Sequence, residues 1–143
     1  MINKSLDISD LRVGMIASYT QIICDKDINS FAEISGDRNP VHLDDEYSKN
    51  TIFKKRIAHG LMSASFFSAL FGTKLPGEGC VYVSQQLVFK RPVYIGDQVT
   101  AYIELTDINV KKRRAFFDTY CKVNGRIVID GKAEIYIPLK SEA

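Results

Sequence analysis

The most apolar part of this 143-residue chain is the stretch His59-Gly60-Leu61-Met62-Ser63-Ala64-Ser65-Phe66-Phe67-Ser68-Ala69-Leu70-Phe71-Gly72. Its hydrophobic side chains point in nearly every direction around a helix, so we expect a central helix that is covered on most sides. Gly60 precedes the first turn, and Gly72 is expected to end the helix. The free backbone N–H groups at such a helix start form a site for an oxygen that carries negative charge.

A change of hydrophobic period separates this helix from the rest of the chain. After Gly79, apolar and polar residues alternate, which is typical of β-strands. The expected strands cover residues 15–24, 81–89, 99–105, 115–123 and 127–137. Asn124-Gly125 is a strong hairpin signal between the last two strands. One long apolar helix with four or five strands predicts an α+β fold, in which an antiparallel meander wraps around the helix.

Length and composition favour a single domain over residues 1–143, because 45% hydrophobic content is enough for one sizeable core. The net charge of +2 is too small to indicate a nucleic-acid-binding protein. Cys24, Cys80 and Cys121 form no CxxC motif, so we expect unpaired, mostly buried thiols in a reducing compartment. Met1–Asp10 carries acids, and no run of residues reaches membrane-spanning length. We therefore expect a cytoplasmic protein with neither a signal peptide nor a membrane partner.

A polar loop, Ser35-Gly36-Asp37-Arg38-Asn39-Pro40-Val41-His42, carries the candidate chemistry. The residues before it predict a helix that is capped by Asp25 or Asp27 and ended by Gly36. The expected apolar face of that helix contains Ile28, Phe31, Ala32 and Ile34. Residues 43–47, after the loop, predict an acid-capped helical turn. Because the Asn-Pro turn cannot continue a helix, the loop holds a carboxylate and an imidazole on one bend.

Asp37 and His42 suggest an acid/base pair that binds one water molecule. An ionised carboxylate accepts hydrogen bonds, and an imidazole near its reference pKa of about 6.5 accepts or donates one. The chain has two histidines, His42 and His59, and each lies beside turn residues. A purely structural interpretation stays open at this point, in which Asp37 caps the next turn and His42 is an ordinary loop histidine.

A metal site is another interpretation of the same region, with His42, Asp44, Asp45 and His59 as possible ligands. We expect no metal, because both aspartates suit helix capping and no HxxxH motif or cysteine pair supports them. The sequence contains no GxGxxG motif and no P-loop, so no dinucleotide or nucleotide cofactor is expected either.

Three motifs together resemble the signature of the R-specific enoyl-coenzyme A hydratases, which are MaoC-like hot-dog proteins. They are Ser35-Gly36-Asp37-Arg38-Asn39-Pro40-Val41-His42-Leu43-Asp44, Ala58-His59-Gly60-Leu61-Met62, and Phe89-Lys90-Arg91-Pro92-Val93 with Gly96-Asp97. The similarity extends over nearly the whole chain. It implies a hot-dog domain, in which a central helix from about Gly60 to Phe71 is wrapped by a curved antiparallel sheet.

The resemblance also implies the roles of individual residues. Asp37 and His42 would activate the water, and the backbone N–H of Gly60 would hold the thioester oxygen. Asn39, His59 and Ser68 would belong to the substrate side of the site, although a serine in an apolar helix usually bonds to its own helix. In the implied reaction, Asp37 takes a proton while His42 orients the water and returns a proton to the α-carbon. The division of roles between the two is open.

The implied partners are an acyl-coenzyme A thioester and a second copy of the chain. Lys54, Lys55, Arg56, Lys90 and Arg91 are candidates for a basic rim that meets coenzyme A phosphates. The candidates for the residues that limit the length of the acyl chain are Leu61, Phe66, Leu70 and Leu75. Two alternatives remain: a 3-hydroxyacyl-[acyl-carrier-protein] dehydratase, or a module that binds acyl thioesters without catalysis.

Overall fold

The computed structural model, which describes residues 5–140, contains four α-helices, five strands and one short 3-10 helix (Ile8–Asp10). The helices are α1 (Asp25–Ser35), α2 (Pro40–Leu43), α3 (Asp45–Lys49) and α4 (Gly60–Thr73). The strands are β1 (Ile16–Ile22), β2 (Val81–Phe89), β3 (Gln98–Asn109), β4 (Arg114–Val123) and β5 (Arg126–Tyr136). The prediction made for Met1–Asp10 lies partly outside the described residues.

The central helix is α4, and the sheet packs around it. The strands are all antiparallel, in the order β1-β3-β4-β5-β2. Alternate residues of β3, such as Ala101 and Ile103, are fully buried on the side of the core that also contains Phe67 and Phe71 of α4. A sheet with one apolar face buries it against the nonpolar helix, and this produces the predicted α+β architecture.

The end of α4 differs from the prediction. Gly72 was expected to end the helix, but the helix continues through Gly72 to Thr73. The chain turns only afterwards, where Leu75 N–H donates to the carbonyl of Leu70 and Pro76 follows. Proline lacks the N–H that a helix interior needs, so α4 cannot continue through Pro76.

The strand order also corrects the predicted meander. β3, β4 and β5 follow one another as expected, but β2 pairs with β5 and not with its successor β3. The connection over residues 90–97 is too long for a tight hairpin and contains Pro92. It pairs instead with the segment before α4, through a bridge between Ile57 and Tyr94 and a 2.7 Å hydrogen bond from Ala58 N–H to the Val93 carbonyl. This connection forms one wall of the cavity described below.

Local turn predictions are confirmed at two points. Asn124 and Gly125 have φ angles of 51° and 76°, the left-handed pair that a type I′ hairpin needs. Gly36 has a φ of 79° and ends α1 as predicted. The N-cap of α1 is Cys24, not Asp25 or Asp27. The Asp27 carboxylate accepts a hydrogen bond from the Cys24 N–H.

Two burial predictions for side chains were wrong. Ile28 and Ala32 of α1 are buried, but Ile34 is 85% exposed, because position 34 lies on the opposite side of the helix from position 32.

The three cysteines are free, as predicted. Cys121 is buried, which raises the pKa of its thiol to about 12, whereas Cys24 is exposed at the helix cap. Within residues 5–140, none of the helices is long and apolar enough to cross a membrane.

Candidate active site

A cavity of about 590 Å³ lies where the polar loop, the start of α4 and the β2–β3 connection meet. Its lining residues are Phe31, Ser35, Asp37, His42, Phe53, Ile57, Ala58, His59, Gly60, Leu61, Phe89, Lys90, Arg91, Pro92, Val93 and Ile129. The wall is mostly apolar, with a few polar groups close together, which is typical of small-molecule sites. Four of the predicted site residues, Asp37, His42, His59 and Gly60, therefore border one space.

Asp37 and His42 face each other across a gap that is longer than a hydrogen bond. The Asp37 Oδ2 and His42 Nε2 atoms are 4.0 Å apart. The Asp37 side chain is about half exposed, whereas that of His42 is 10% exposed. A water oxygen placed about 2.8 Å from both atoms fits this separation.

The imidazole of His42 is held in one orientation by the segment that precedes α4. Its Nδ1 lies 2.7 Å from the carbonyl oxygen of Ile57. A carbonyl only accepts hydrogen bonds, so Nδ1 carries the proton and Nε2 is left as an acceptor that faces Asp37. Burial lowers the pKa of His42 below 6.5, against the smaller effects of Ile57 and Asp37 that raise it. The neutral imidazole is therefore favoured near neutral pH.

The polar loop satisfies both interpretations of Asp37. Its Oδ1 accepts a hydrogen bond from Asn39 N–H, as a capping residue would, while Oδ2 is directed toward His42. Asn39 caps α2 by accepting from Val41 N–H, and it does not line the cavity. His42 lies in α2, one helical turn that begins at Pro40, and not in a loop as predicted. Proline is favoured at this first helical position, so the Asn-Pro pair that was expected to form a turn begins a helix instead.

Gly60 begins α4 beside the ring of Phe89. A Cβ atom at Gly60 would lie 2.5 Å from two carbon atoms of that ring, so only glycine fits. Gly60 and Leu61, the first two residues of α4, line the cavity, and N–H groups at a helix start lack partners within the helix. The oxyanion role of Gly60 stays a prediction. Two residues of the third motif have structural roles here. The ring of Phe89 covers Gly60, and the carbonyl of Val93 accepts a hydrogen bond from Ala58 N–H.

The cluster of possible metal ligands differs from the predicted one. Asp37, His42 and His59 each offer one ligand atom, and these atoms lie within 4.8 Å of one another. Asp44 instead accepts a hydrogen bond from Tyr47 N–H and caps α3. Two ligands about 2.1 Å from one ion are at most about 4.2 Å apart, and the separation of 4.0 Å between Asp37 Oδ2 and His42 Nε2 is close to that limit.

Ser68 and most of the residues proposed to set chain length lie elsewhere. Ser68 is exposed on α4 and does not line the cavity of this chain. Phe66, Leu70 and Leu75 are buried in the core, and of the four candidates only Leu61 borders the cavity. The apolar wall comes mainly from residues that the sequence analysis did not assign to the site, namely Phe31, Phe53, Val93 and Ile129.

The basic rim is smaller than predicted. Lys90 and Arg91 border the cavity, whereas Lys55 lies over the ring of Tyr94. Arg56 is buried: its Nε donates a 2.6 Å hydrogen bond to the His42 carbonyl, and its NH2 lies 2.6 Å from the Asp25 carboxylate. Arg56 therefore supports the turn that carries His42 and is not free to meet a phosphate. Sequence analysis missed this role, because a basic cluster gives no indication of which cation is buried.

Comparison with known proteins defines the class to which the chain belongs. A family model described as "MaoC like domain" matches residues 13–126, so the chain belongs to the MaoC-like family. It is 46% identical to the (R)-specific enoyl-CoA hydratase of Rhodospirillum rubrum over 92% of this chain and 91% of that protein. It is 44% identical to the 3-hydroxybutyryl-CoA dehydratase of Methylorubrum extorquens over 98% of this chain and 89% of that protein.

Solved structures confirm the predicted hot-dog fold. The structure of an (R)-hydratase from A. caviae involved in PHA biosynthesis matches with a TM-score of 0.87 and 38% identity. The match covers 90% of this chain and 98% of that one.

Proposed function

We propose that this chain adds water to trans-2-enoyl-CoA and produces (R)-3-hydroxyacyl-CoA in a reversible reaction, so that it is a hydro-lyase. The observation that carries the proposal is the pair of acceptor atoms, Asp37 Oδ2 and His42 Nε2, 4.0 Å apart in an apolar cavity at the start of α4. The relatives described above act on enoyl-CoA and 3-hydroxybutyryl-CoA, which agrees with this chemistry.

The two acceptors determine how a water molecule is oriented. An ionised Asp37 and a neutral His42 both accept hydrogen bonds, so one water donates one hydrogen to each. Its lone pair is then directed away from both groups, toward a substrate held in the cavity. A substrate plane that is presented on one side only is attacked on one face, and this gives a single alcohol configuration.

The reaction requires a donor for the oxygen that becomes negative. As the water oxygen bonds to the β-carbon, the electrons of the C=C bond move toward the thioester carbonyl oxygen. In this proposal the Gly60 N–H, at the positive end of α4, stabilises that oxygen. The proton that Asp37 takes from the water is returned to the α-carbon when the carbonyl reforms, so that H and OH are added in total and no cofactor is consumed.

We also propose that two copies of the chain form the working enzyme. α4 presents an uncharged stripe at the surface, which consists of Leu61, Ser65, Ser68 and Ala69. The edge strand β2 exposes Val81, Val83 and Val88. Exposed apolar surface of this kind typically marks an interface. Ser68 would then line the substrate site from within the dimer, and light scattering should give twice the chain mass of 16.1 kDa.

The coenzyme A part of the substrate is assigned to the rim of the cavity. Lys90 and Arg91 border the opening, and both are exposed. Exposed cations attract phosphates without the cost of desolvation that a buried ion pair carries. The acyl group would lie against the apolar wall.

The experiment follows loss of the enone absorbance of crotonyl-CoA with the wild type, Asp37→Ala and His42→Ala. The wild type is expected to turn over, and each variant to lose about 100-fold or more in kcat, because general acid/base groups contribute on this order. Binding of butyryl-CoA, which lacks the reactive double bond, should be retained in both variants. Wild-type binding without turnover on crotonyl-CoA or longer enoyl-CoA would instead support a non-catalytic module, or a dehydratase that needs an acyl carrier protein.

A further inference from the structure

His59 occupies the N-cap of α4, but its side chain makes no capping hydrogen bond. N-cap residues are usually Ser, Thr, Asp or Asn, whose short side chains accept from the N–H groups of the first turn. The ring of His59 is instead 2% exposed and lies between two other rings. It stacks on His42 with centroids 3.9 Å apart and contacts Phe31 with centroids 4.9 Å apart. The side chain therefore serves the loop and not the helix.

The polar atoms of His59 connect α4 to the residue that faces the water. Its Nε2 lies 3.0 Å from the backbone carbonyl oxygen of Asp37. Since a carbonyl only accepts, Nε2 carries the proton and donates it. The same ring stacks on His42 with 27° between the ring planes and so restricts how that imidazole rotates. One side chain thus contacts both members of the acid/base pair.

The segment that carries His59 also carries the other contacts of the site. Ile57 accepts the Nδ1–H of His42, His59 holds Asp37, and Gly60 begins α4. Between them, Ala58 N–H donates to Val93, which fixes the segment to the sheet connection. Residues 57–60 are therefore a common support that sets the distance between the water-binding pair and the thioester oxygen.

A buried atom of His59 shows that this position is not optimised for stability. His59 Nδ1 is buried and has no hydrogen-bond partner among residues 5–140. An unpaired buried polar atom opposes folding, and phenylalanine would fill a similar space without it. A position that served packing alone would favour phenylalanine.

We propose that His59 is a positioning residue, which holds Asp37 and His42 in register with Gly60 by its hydrogen bond and its stacked ring. It does this in place of contacting the substrate directly. The role rests on the proposed hydratase function, because it is defined by the pair that activates water.

The test compares His59→Phe with the wild type in kinetics and in thermal unfolding. We expect kcat for crotonyl-CoA to fall about 100-fold, since misplacement of reacting groups by about 1 Å costs on this order. KM should change little, because phenylalanine fills a similar space in the cavity wall, and Tm should be equal or higher. His59→Gln, which keeps an N–H but loses the ring, should fold and also lose kcat. As a control, Ile103→Val in the distant core of β3 should lower Tm and leave kcat unchanged.

A second readout does not depend on turnover. The chain has two histidines, so the ring nitrogens of His42 and His59 can be assigned by NMR from the wild type and one variant. In the wild type we expect His42 protonated on Nδ1 and His59 on Nε2. In His59→Phe, the His42 signals should shift toward a mixture of tautomers.

The outcomes separate this inference from the proposed function. If His59→Phe keeps wild-type kcat, or if the His42 ring signals are unchanged in that variant, His59 does not position the pair. A fall in Tm with kcat unchanged would likewise assign His59 to packing alone. If the wild type itself fails to hydrate enoyl-CoA, the proposed function is wrong, and the NMR comparison still decides whether His59 orders His42.

Discussion

Replacing Gly60 by alanine adds one methyl group at the start of α4. That group would lie 2.5 Å from the Cδ1 and Cε1 atoms of Phe89, whereas ordinary contacts begin at 3.4 Å. Either the ring or the helix start must therefore move by about 0.9 Å or more. The ring of Phe89 is 51% exposed and can give way in part, so the loss of stability should be small, about 1 kcal/mol.

The effect on catalysis should be much larger than the effect on stability. The N–H proposed to hold the thioester oxygen belongs to residue 60, beside the added methyl group, and donors in such sites are effective only within a few tenths of an ångström. We expect Gly60→Ala to lower kcat for crotonyl-CoA about 100-fold. Steady-state kinetics and thermal unfolding should be measured on the same preparations, whose oligomeric mass is checked by light scattering.

The same helix provides a matched control. Gly72 is also in α4, but a Cβ atom there meets nothing within 4 Å. Gly72→Ala should keep kcat and gain about 0.5–1 kcal/mol in unfolding free energy, because alanine is the better helix former. In the double variant Gly60→Ala/Phe89→Ala the methyl group has room, so kcat should recover relative to Gly60→Ala. A Gly60→Ala enzyme with kcat within about threefold of wild type would refute the oxyanion role.

Three further predictions follow from the site. Arg56→Met should lower Tm, because Arg56 supports the turn that carries His42. For the same reason it should reduce kcat by the same factor with crotonyl-CoA and with crotonyl-N-acetylcysteamine. A loss confined to crotonyl-CoA would mean that Arg56 binds a phosphate of coenzyme A. Arg91→Ala should raise KM for crotonyl-CoA only, and an equal rise for the short thioester would contradict its place at the rim. The pKa of His42 is lowered by burial, so the acid limb of kcat/KM should have its midpoint below 6.5. As pH falls through 6.5, the His42 side chain is protonated in the unfolded chain before it is protonated in the folded one, so folding stability should decrease in this pH range. The decrease should be smaller in His42→Asn. Identical pH profiles of Tm for the two proteins would contradict the lowered pKa of His42.

Sequence reasoning worked best where the controlling interactions are local. The φ angles at Asn124 and Gly125 are required by a two-residue hairpin, and that need is visible in the two residues themselves. The apolar composition around α4 similarly indicated a buried central helix. Asp37 and His42 are five positions apart, so a single turn was enough to bring them near each other.

Predictions failed where distant parts of the chain compete. The pairing of β2 with β5 depends on contacts between the β2–β3 connection and residues 57–58, which no local pattern records. The burial of Arg56 depends on Asp25 and His42, 31 and 14 positions away. The cluster at 54–56 contains three basic residues of similar composition, so their different surroundings arise only in the folded chain. Ile34 is hydrophobic but lies on the opposite side of α1 from Ala32, so residue type alone does not predict its exposure.

The configuration of the product tests the central claim most directly. The purified protein is incubated with crotonyl-CoA, and the 3-hydroxybutyryl group is released and analysed on a chiral column against both enantiomers. One water held between Asp37 and His42 on a single face of the substrate should give the R alcohol almost exclusively. A racemic mixture would contradict delivery of the water from this site, and a pure S product would contradict the R-specific assignment.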